Sequence, residues 1–194
     1  MSGRTFSGEA SVSDLHQRID RLESRALIAE ICTEYGIACD FRDTDKLASL
    51  FIPEIVIRSV NGSMNARGID ATMAMFNEMF KIRGPAYHWT HDRIVKFDAT
   101  DPDRAEGIVL SHAETTPNGK ASIAGLRYQD VYRRTDGQWK FQERVLAFLY
   151  YVPMVDYVSR LRQPERVLAG NEWRAADYPE SDPAWQAWHA AHGR

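Results

Sequence analysis

An α+β fold, with a curved antiparallel sheet wrapped on helices, is what this 194-residue sequence predicts, and three observations carry the prediction. Helical periodicity dominates the N-terminal part of the chain. Four long runs with strand character follow, near 86–98, 105–115, 121–134 and 138–152. Between them stand "DPD", "PNG" and "TDG", each of which has the chemistry of a tight turn.

The elements follow in chain order. After a polar stretch expected to be a flexible tail (1–12), Leu15, Ile19, Leu22 and Ala26, then Ile28, Ile31 and Tyr35, recur at spacings of three and four. That is the stripe of a long amphipathic helix, which Ser11 or Ser13 can cap. "TDKLASLF" predicts a short second helix with Thr44 as N-cap and Pro53 as its stop. "EIVIRS" and "SMNARG" flank Asn61-Gly62 and predict a hairpin, because Asn-Gly supplies the positive φ angles of a two-residue turn. "IDATMAMFNEMFKIR" predicts a third helix with Met73, Phe76, Met79 and Phe80 on one side, closed by Gly84-Pro85. The main domain is expected over 13–153. Beyond Pro153 the composition shifts, and residues 154–194 hold three of the five tryptophans. They are expected to form a C-terminal extension: a lid, an oligomer contact, or a partly disordered arm that packs at least some of its aromatics.

Composition narrows the function. With 26% charged residues, 44% apolar residues and a formal charge of −3, the chain carries no sign of a nucleic-acid surface or of affinity for an anionic membrane. The start lacks an apolar run of signal-peptide length, and nowhere do about 18 uncharged apolar residues run together. A cytoplasmic location is expected. Cys32 and Cys39, seven apart in the first helix, are too distant for a disulfide and read as reduced core residues.

The chemistry-bearing stretch is "PAYHWTHDRIVKFDA". On a strand, His88 and His91 point to opposite faces, so they do not share a metal ion, and no Cys/His/carboxylate cluster elsewhere has ligand spacing. There is no phosphate-binding glycine loop and no nucleophile elbow. Taken alone, His88 reads as a satisfied core histidine. Asp40 changes the balance. It ends the first helix in "YGIACDF", and an acid among Ile37, Ala38, Cys39 and Phe41 is expensive to bury without a partner. The alternative is a water-facing residue, which the negative end of the helix dipole disfavours.

The order "YGIACD", "LASLF", "YHWTHDRIVKF" and "YQDVYRRTDGQWKFQER" resembles the SnoaL-like branch of the nuclear transport factor 2-like superfamily, nearest its hexachlorocyclohexane dehydrochlorinase, bile-acid 7α-dehydratase and scytalone dehydratase members. The likeness covers roughly residues 13–153. It implies a cone-shaped, cystatin-like α+β barrel assembled as a homotrimer. It also places Asp40 and His88 at the family's catalytic dyad, Arg144 at the position of a pocket arginine, and Tyr35 at that of the bile-acid enzyme's catalytic tyrosine. Tyr128, His112 and Met79 are expected beside the substrate. For Arg144 the structural alternative is a salt bridge to Asp40 or Glu143; for Tyr128 it is an ordinary sheet aromatic. Gly36, one turn before Asp40, would leave room for a ring to approach.

The function this implies is a lyase needing no cofactor and no metal, which removes a proton from a small hydrophobic cyclic or aromatic substrate in a dehydratase-type elimination. One alternative is a retro-aldol carbon–carbon cleavage releasing a small aldehyde, as from a lignin-derived diaryl diol; a cyclase or isomerase is another. A further alternative is a non-catalytic ligand-binding or scaffold subunit, resembling the β-subunit of a dioxygenase.

Overall fold

A computed structural model of the protein describes residues 12–193. The expected flexible tail therefore lies outside the described residues, except that Val12 already begins helix α1 (Val12–Phe41). The second half of α1 buries Ile28, Ile31, Cys32, Tyr35 and Cys39, whereas Leu15, Ile19 and Leu22 of the first half remain exposed. The helix breaks at Arg42, which adopts a left-handed φ of 59°. Helix α2 (Thr44–Ser49) starts immediately afterwards. Its N-cap is Asp43 and not Thr44, since the Asp43 carboxylate accepts the Lys46 backbone N–H at 2.9 Å.

Strand β1 (Phe51–Ser59) contains Pro53, so the proline does not stop α2, which has ended before it. A residue without an N–H is tolerated there because the β1 ladder is irregular between Phe51 and Val56. β1 pairs antiparallel with β2 (Asn65–Arg67), but the loop is longer than the two-residue turn expected at Asn61-Gly62. The Asn61 carboxamide accepts from Ser59 Oγ and from Ser63 N, and these local bonds replace strand pairing up to Met64. Helix α3 (Ile69–Ile82) follows, with Phe76 buried on its inner side.

Strands β3 (Tyr87–Phe97), β4 (Arg104–Thr115), β5 (Ser122–Thr135) and β6 (Gln138–Pro153) form the antiparallel meander read from the sequence. At the β5–β6 turn Asp136 and Gly137 take φ of 52° and 76°, the paired positive angles a tight hairpin requires. The sheet order is β2-β1-β6-β5-β4-β3, and β1 lies parallel to β6. Two register irregularities between β5 and β6 bend the long strands, so the sheet curves around α1 and α3. Residue parity then decides what faces inward: Val109, Ser111, Ala113 and Thr115 of β4 are buried, and their neighbours are more exposed.

After β6 come a 3₁₀ turn (Met154–Asp156), α4 (Tyr157–Arg160), the β7 (Val167–Ala169)/β8 (Glu172–Arg174) hairpin and α5 (Pro183–His192). β7 joins the sheet beside β6 through Tyr151 and Val167. This C-terminal segment is held to the body by Arg166, which donates to the carbonyls of Leu149, Gln163 and Tyr178 and to both carboxylate oxygens of Glu180. Asp177 adds a bond from Phe148 N at 2.7 Å. Replacing Arg166 by Met removes several bonds, each worth about 1 kcal/mol. Limited proteolysis is expected to cleave beyond residue 160 at least about tenfold faster while the 13–153 body stays protected; unchanged cleavage would contradict this anchoring.

Candidate active site

The last turn of α1 meets the first residues of β3. Asp40 accepts the His88 backbone N–H with one carboxylate oxygen (Oδ2, 2.8 Å) and contacts the His88 ring Nδ1 with the other (Oδ1, 2.5 Å). Both side chains are largely enclosed, at 13% exposure for His88 and 17% for Asp40. Gly36 makes the approach possible: a Cβ at that position would stand 3.2 Å from the Cβ of His88. With Nδ1 facing a carboxylate, the neutral imidazole carries its proton there and keeps the Nε2 lone pair as its basic atom.

His88 borders a small apolar hollow of about 40 Å³, whose walls include Tyr35, Met79, Phe80, Tyr128 and Phe148. Tyr35 comes from α1 and Tyr128 from β5, their rings edge-on with centroids 6.3 Å apart. Burial pushes the Tyr35 hydroxyl well above the usual phenol range and the Tyr128 hydroxyl up to about 12. Both phenols thus stay protonated near neutral pH, as hydrogen-bond donors. The Cys39 thiol beside them is likewise pushed up by burial, to about 12; Cys32 and Cys39 are both free and buried. A second, larger hollow of about 300 Å³ adjoins the first across Met64, Met79, Arg83 and Tyr151, and β7 with Gly170 and Asn171 forms part of its wall.

Two expected site residues lie elsewhere. Arg144 is sealed behind the hollow, paired with neither Asp40 nor Glu143. Its Nε and Nη2 donate to the two carboxylate oxygens of Asp130 at 2.9 and 2.7 Å, and both side chains are 1% exposed or less. Burial opposes its charge, but the Asp130 carboxylate outweighs that and holds the guanidinium firmly protonated. Its cation lies 4.2 Å from the centroids of Tyr35, Tyr128 and Phe141, so it supports the cavity's aromatic wall from behind. His112 is a parity error. It occupies the outward register of β4, where its ring stacks on His91 with Nε2 of His91 2.6 Å from its Nδ1, and it flanks Trp89. Glu143 pairs instead with Arg58 on the outer side.

Two arginines bordering the inner hollow had no signal in the sequence. Arg42 donates from Nη1 to the Cys39 carbonyl and from Nη2 to those of Arg83 and Gly84, and its guanidinium lies 4.6 Å from the centroid of the Phe80 ring. Arg83 follows α3 at the junction of both hollows. Only a break in helix periodicity, "CDFRD" for Arg42 and "IRGP" for Arg83, marks either position. Among the described residues, no group of three His, Cys, Asp or Glu side chains is arranged to hold a metal ion, and no helix is long and apolar enough to cross a membrane.

The profile of the SnoaL-like domain family matches residues 20–145. The gamma-hexachlorocyclohexane dehydrochlorinase of Sphingobium indicum is 25% identical over 137 residues, spanning 70% of this chain and 87% of its own. Among solved structures, a type 2 hexachlorocyclohexane dehydrochlorinase superposes with a TM-score of 0.65 at 22% identity, covering 71% of this chain and 93% of its own. A Novosphingobium aromaticivorans protein named for scytalone dehydratase also reaches 0.65, at 19% identity, over 82% and 95%. At these identities the structural likenesses establish the fold, a cone of curved sheet and N-terminal helices of the nuclear transport factor 2-like, cystatin-like kind.

Asp130→Ala leaves a buried guanidinium without its counter-ion, a loss of roughly 3–5 kcal/mol. The melting temperature is expected to fall by roughly 10 °C; a change below about 2 °C in a thermal melt would mean that the pair is not what supports this wall.

Proposed function

The chain belongs to the SnoaL-like domain family, and on that premise we propose that it is a lyase whose general base is His88, held by Asp40. The observation that carries this reading is the two-point grip of one carboxylate on His88, through the backbone N–H and ring Nδ1, at the edge of an apolar hollow. Neutral Nε2 takes a proton from substrate carbon. The C–H pair becomes the new π bond, and the leaving group departs with its own bonding pair. Asp40 stabilises the imidazolium that forms and fixes the ring orientation. Tyr35 and Tyr128, kept protonated by burial, supply hydrogen bonds to a departing hydroxide or halide. Arg144 lines neither hollow, lies behind these rings with Nε and Nη2 bound to Asp130, and acts through them as a positioning residue.

Loss of water is the favoured elimination, on a small hydrophobic cyclic or aromatic substrate. The dehydrochlorinase relatives support elimination as the reaction class. The aldehyde-releasing carbon–carbon cleavage needs the same base acting on a hydroxyl and remains the second enzyme reading. A scaffold role is less well supported, because it has no use for an enclosed carboxylate–imidazole pair. The inner hollow is smaller than a six-membered ring, so Met64 and Met79, unbranched and adaptable, move aside for the substrate. A homotrimer is the proposed assembly; the exposed Leu15, Ile19 and Leu22 on α1 and Trp89, Ile94 and Leu110 on the outer sheet face favour self-contact.

In a metal-free elimination assay on cyclohexyl and benzylic alcohols and halides, His88→Ala and Asp40→Asn are each expected to lose at least about 10²-fold in turnover with far-UV dichroism unchanged. Wild-type turnover in either well-folded variant would overturn the assignment.

A further inference from the structure

Three arginines stand around the cavity, and two have guanidinium nitrogens bound to acceptors within the protein. Arg144 is bound to Asp130 through Nε and Nη2, its Nη1 being sealed in without a partner among the described residues and away from both hollows' linings. Arg42 is bound to three backbone carbonyls and stacked on Phe80. Arg83 differs. Its backbone is fixed, with its N–H donating to Met79 O, its carbonyl accepting from Arg42 and a bridge to Pro117, but among the described residues its guanidinium has no carboxylate or carbonyl acceptor.

Arg83 borders both hollows. Its charge reaches inward as well: it counteracts, in part, the burial-driven rise of Cys39 and Tyr35. No aspartate or glutamate lines either hollow. The outer one instead adds Lys120, together with the neutral polar groups of Asn61, Asn118 and Asn171. A half-buried cation with no internal partner, sharing a hollow without acids with the exposed Lys120, is matched by an anionic ligand group.

We propose that Arg83, assisted by Lys120, binds a carboxylate on the substrate, so that the substrate is an elongated aromatic or alicyclic carboxylate with its reacting carbon at His88 and its acid group in the outer hollow. This deepens the lyase reading and rests on it for the location of the reacting carbon. It also gives the C-terminal segment a function, because β7 helps to wall the hollow in which the acid group lies. Arg83 is then a specificity residue that touches the substrate away from the bond that breaks.

The test is binding, measured by calorimetry on the full chain with biphenyl-4-carboxylate and its neutral counterpart biphenyl-4-methanol. The wild type is expected to bind the carboxylate at least about tenfold more tightly than the alcohol, with the preference weakening as salt is raised. Arg83→Met is expected to bring the two probes within about threefold while affinity for the alcohol is unchanged, and Arg83→Lys to restore most of the preference. Equal affinity in the wild type, including no measurable binding of either probe, or a preference that survives Arg83→Met, would overturn the proposal. His88→Ala should keep the preference. Failure of the lyase reading would therefore appear as unchanged turnover in that variant, independently of the binding result.

Discussion

A carboxylate at the C-terminal end of a helix, enclosed by apolar residues, has to find donors, and in this protein the start of β3 supplies two from one residue. The Asp40–His88 contact joins the first helix to the edge strand of the sheet, and most of the site follows from it. It fixes how closely α1 approaches β3, which is why Gly36 has no side chain where the two elements meet. It also leaves Nε2 as the ring nitrogen not taken up by Asp40. The adjoining hollow inherits Tyr35 from the same helix and Tyr128 from the strand that the sheet's curvature brings opposite.

Electrostatics are divided by depth. Beneath the aromatic wall, Arg144, Asp130, Tyr132 and Cys32 form an enclosed polar group, with the Tyr132 hydroxyl donating to Asp130 at 2.8 Å. Arg144 is thereby withheld from solvent, and its cation lies against ring faces. The inner hollow is lined mainly by apolar groups and protonated phenols, with Arg42 and Arg83 at its border, surroundings in which a hydrogen bond to developing negative charge counts for more than it does in water. At the outer end the balance turns positive through Arg83 and Lys120. His88 thus lines only the inner hollow, Arg83 stands where the two hollows join, and Lys120 lines the outer one.

The helices and the meander were legible because each has a strong local signature: the stripe from Ile28 to Tyr35, the Met73–Phe80 face, and the turns at Asn118-Gly119 and Asp136-Gly137. Pairing of β1 with β6 was not, since a parallel ladder between distant segments leaves no local mark. The partnership of Asp40 with His88 was anticipated from the cost of burying an acid together with family resemblance, and the two do meet. Arg144 and His112 went differently. For both, the local strand pattern was not enough: a shift of one residue in placing His112 on β4 turns it from the inner to the outer face, and nothing near Arg144 shows that Asp130, two residues after Tyr128 on the paired strand, takes its guanidinium. Arg42 and Arg83 were invisible because helix ends place them, and the exact end of a helix is a tertiary outcome.

The most direct test of the central claim is the protonation pattern of His88, read by long-range ¹H–¹⁵N correlation on the neutral ring. An imidazole held as described carries its proton on Nδ1, hydrogen-bonded to Asp40, and leaves Nε2 bare, and Asp40→Ala should shift the ring toward the Nε2–H form. A wild-type ring protonated on Nε2, or one unaffected by loss of Asp40, would contradict the account.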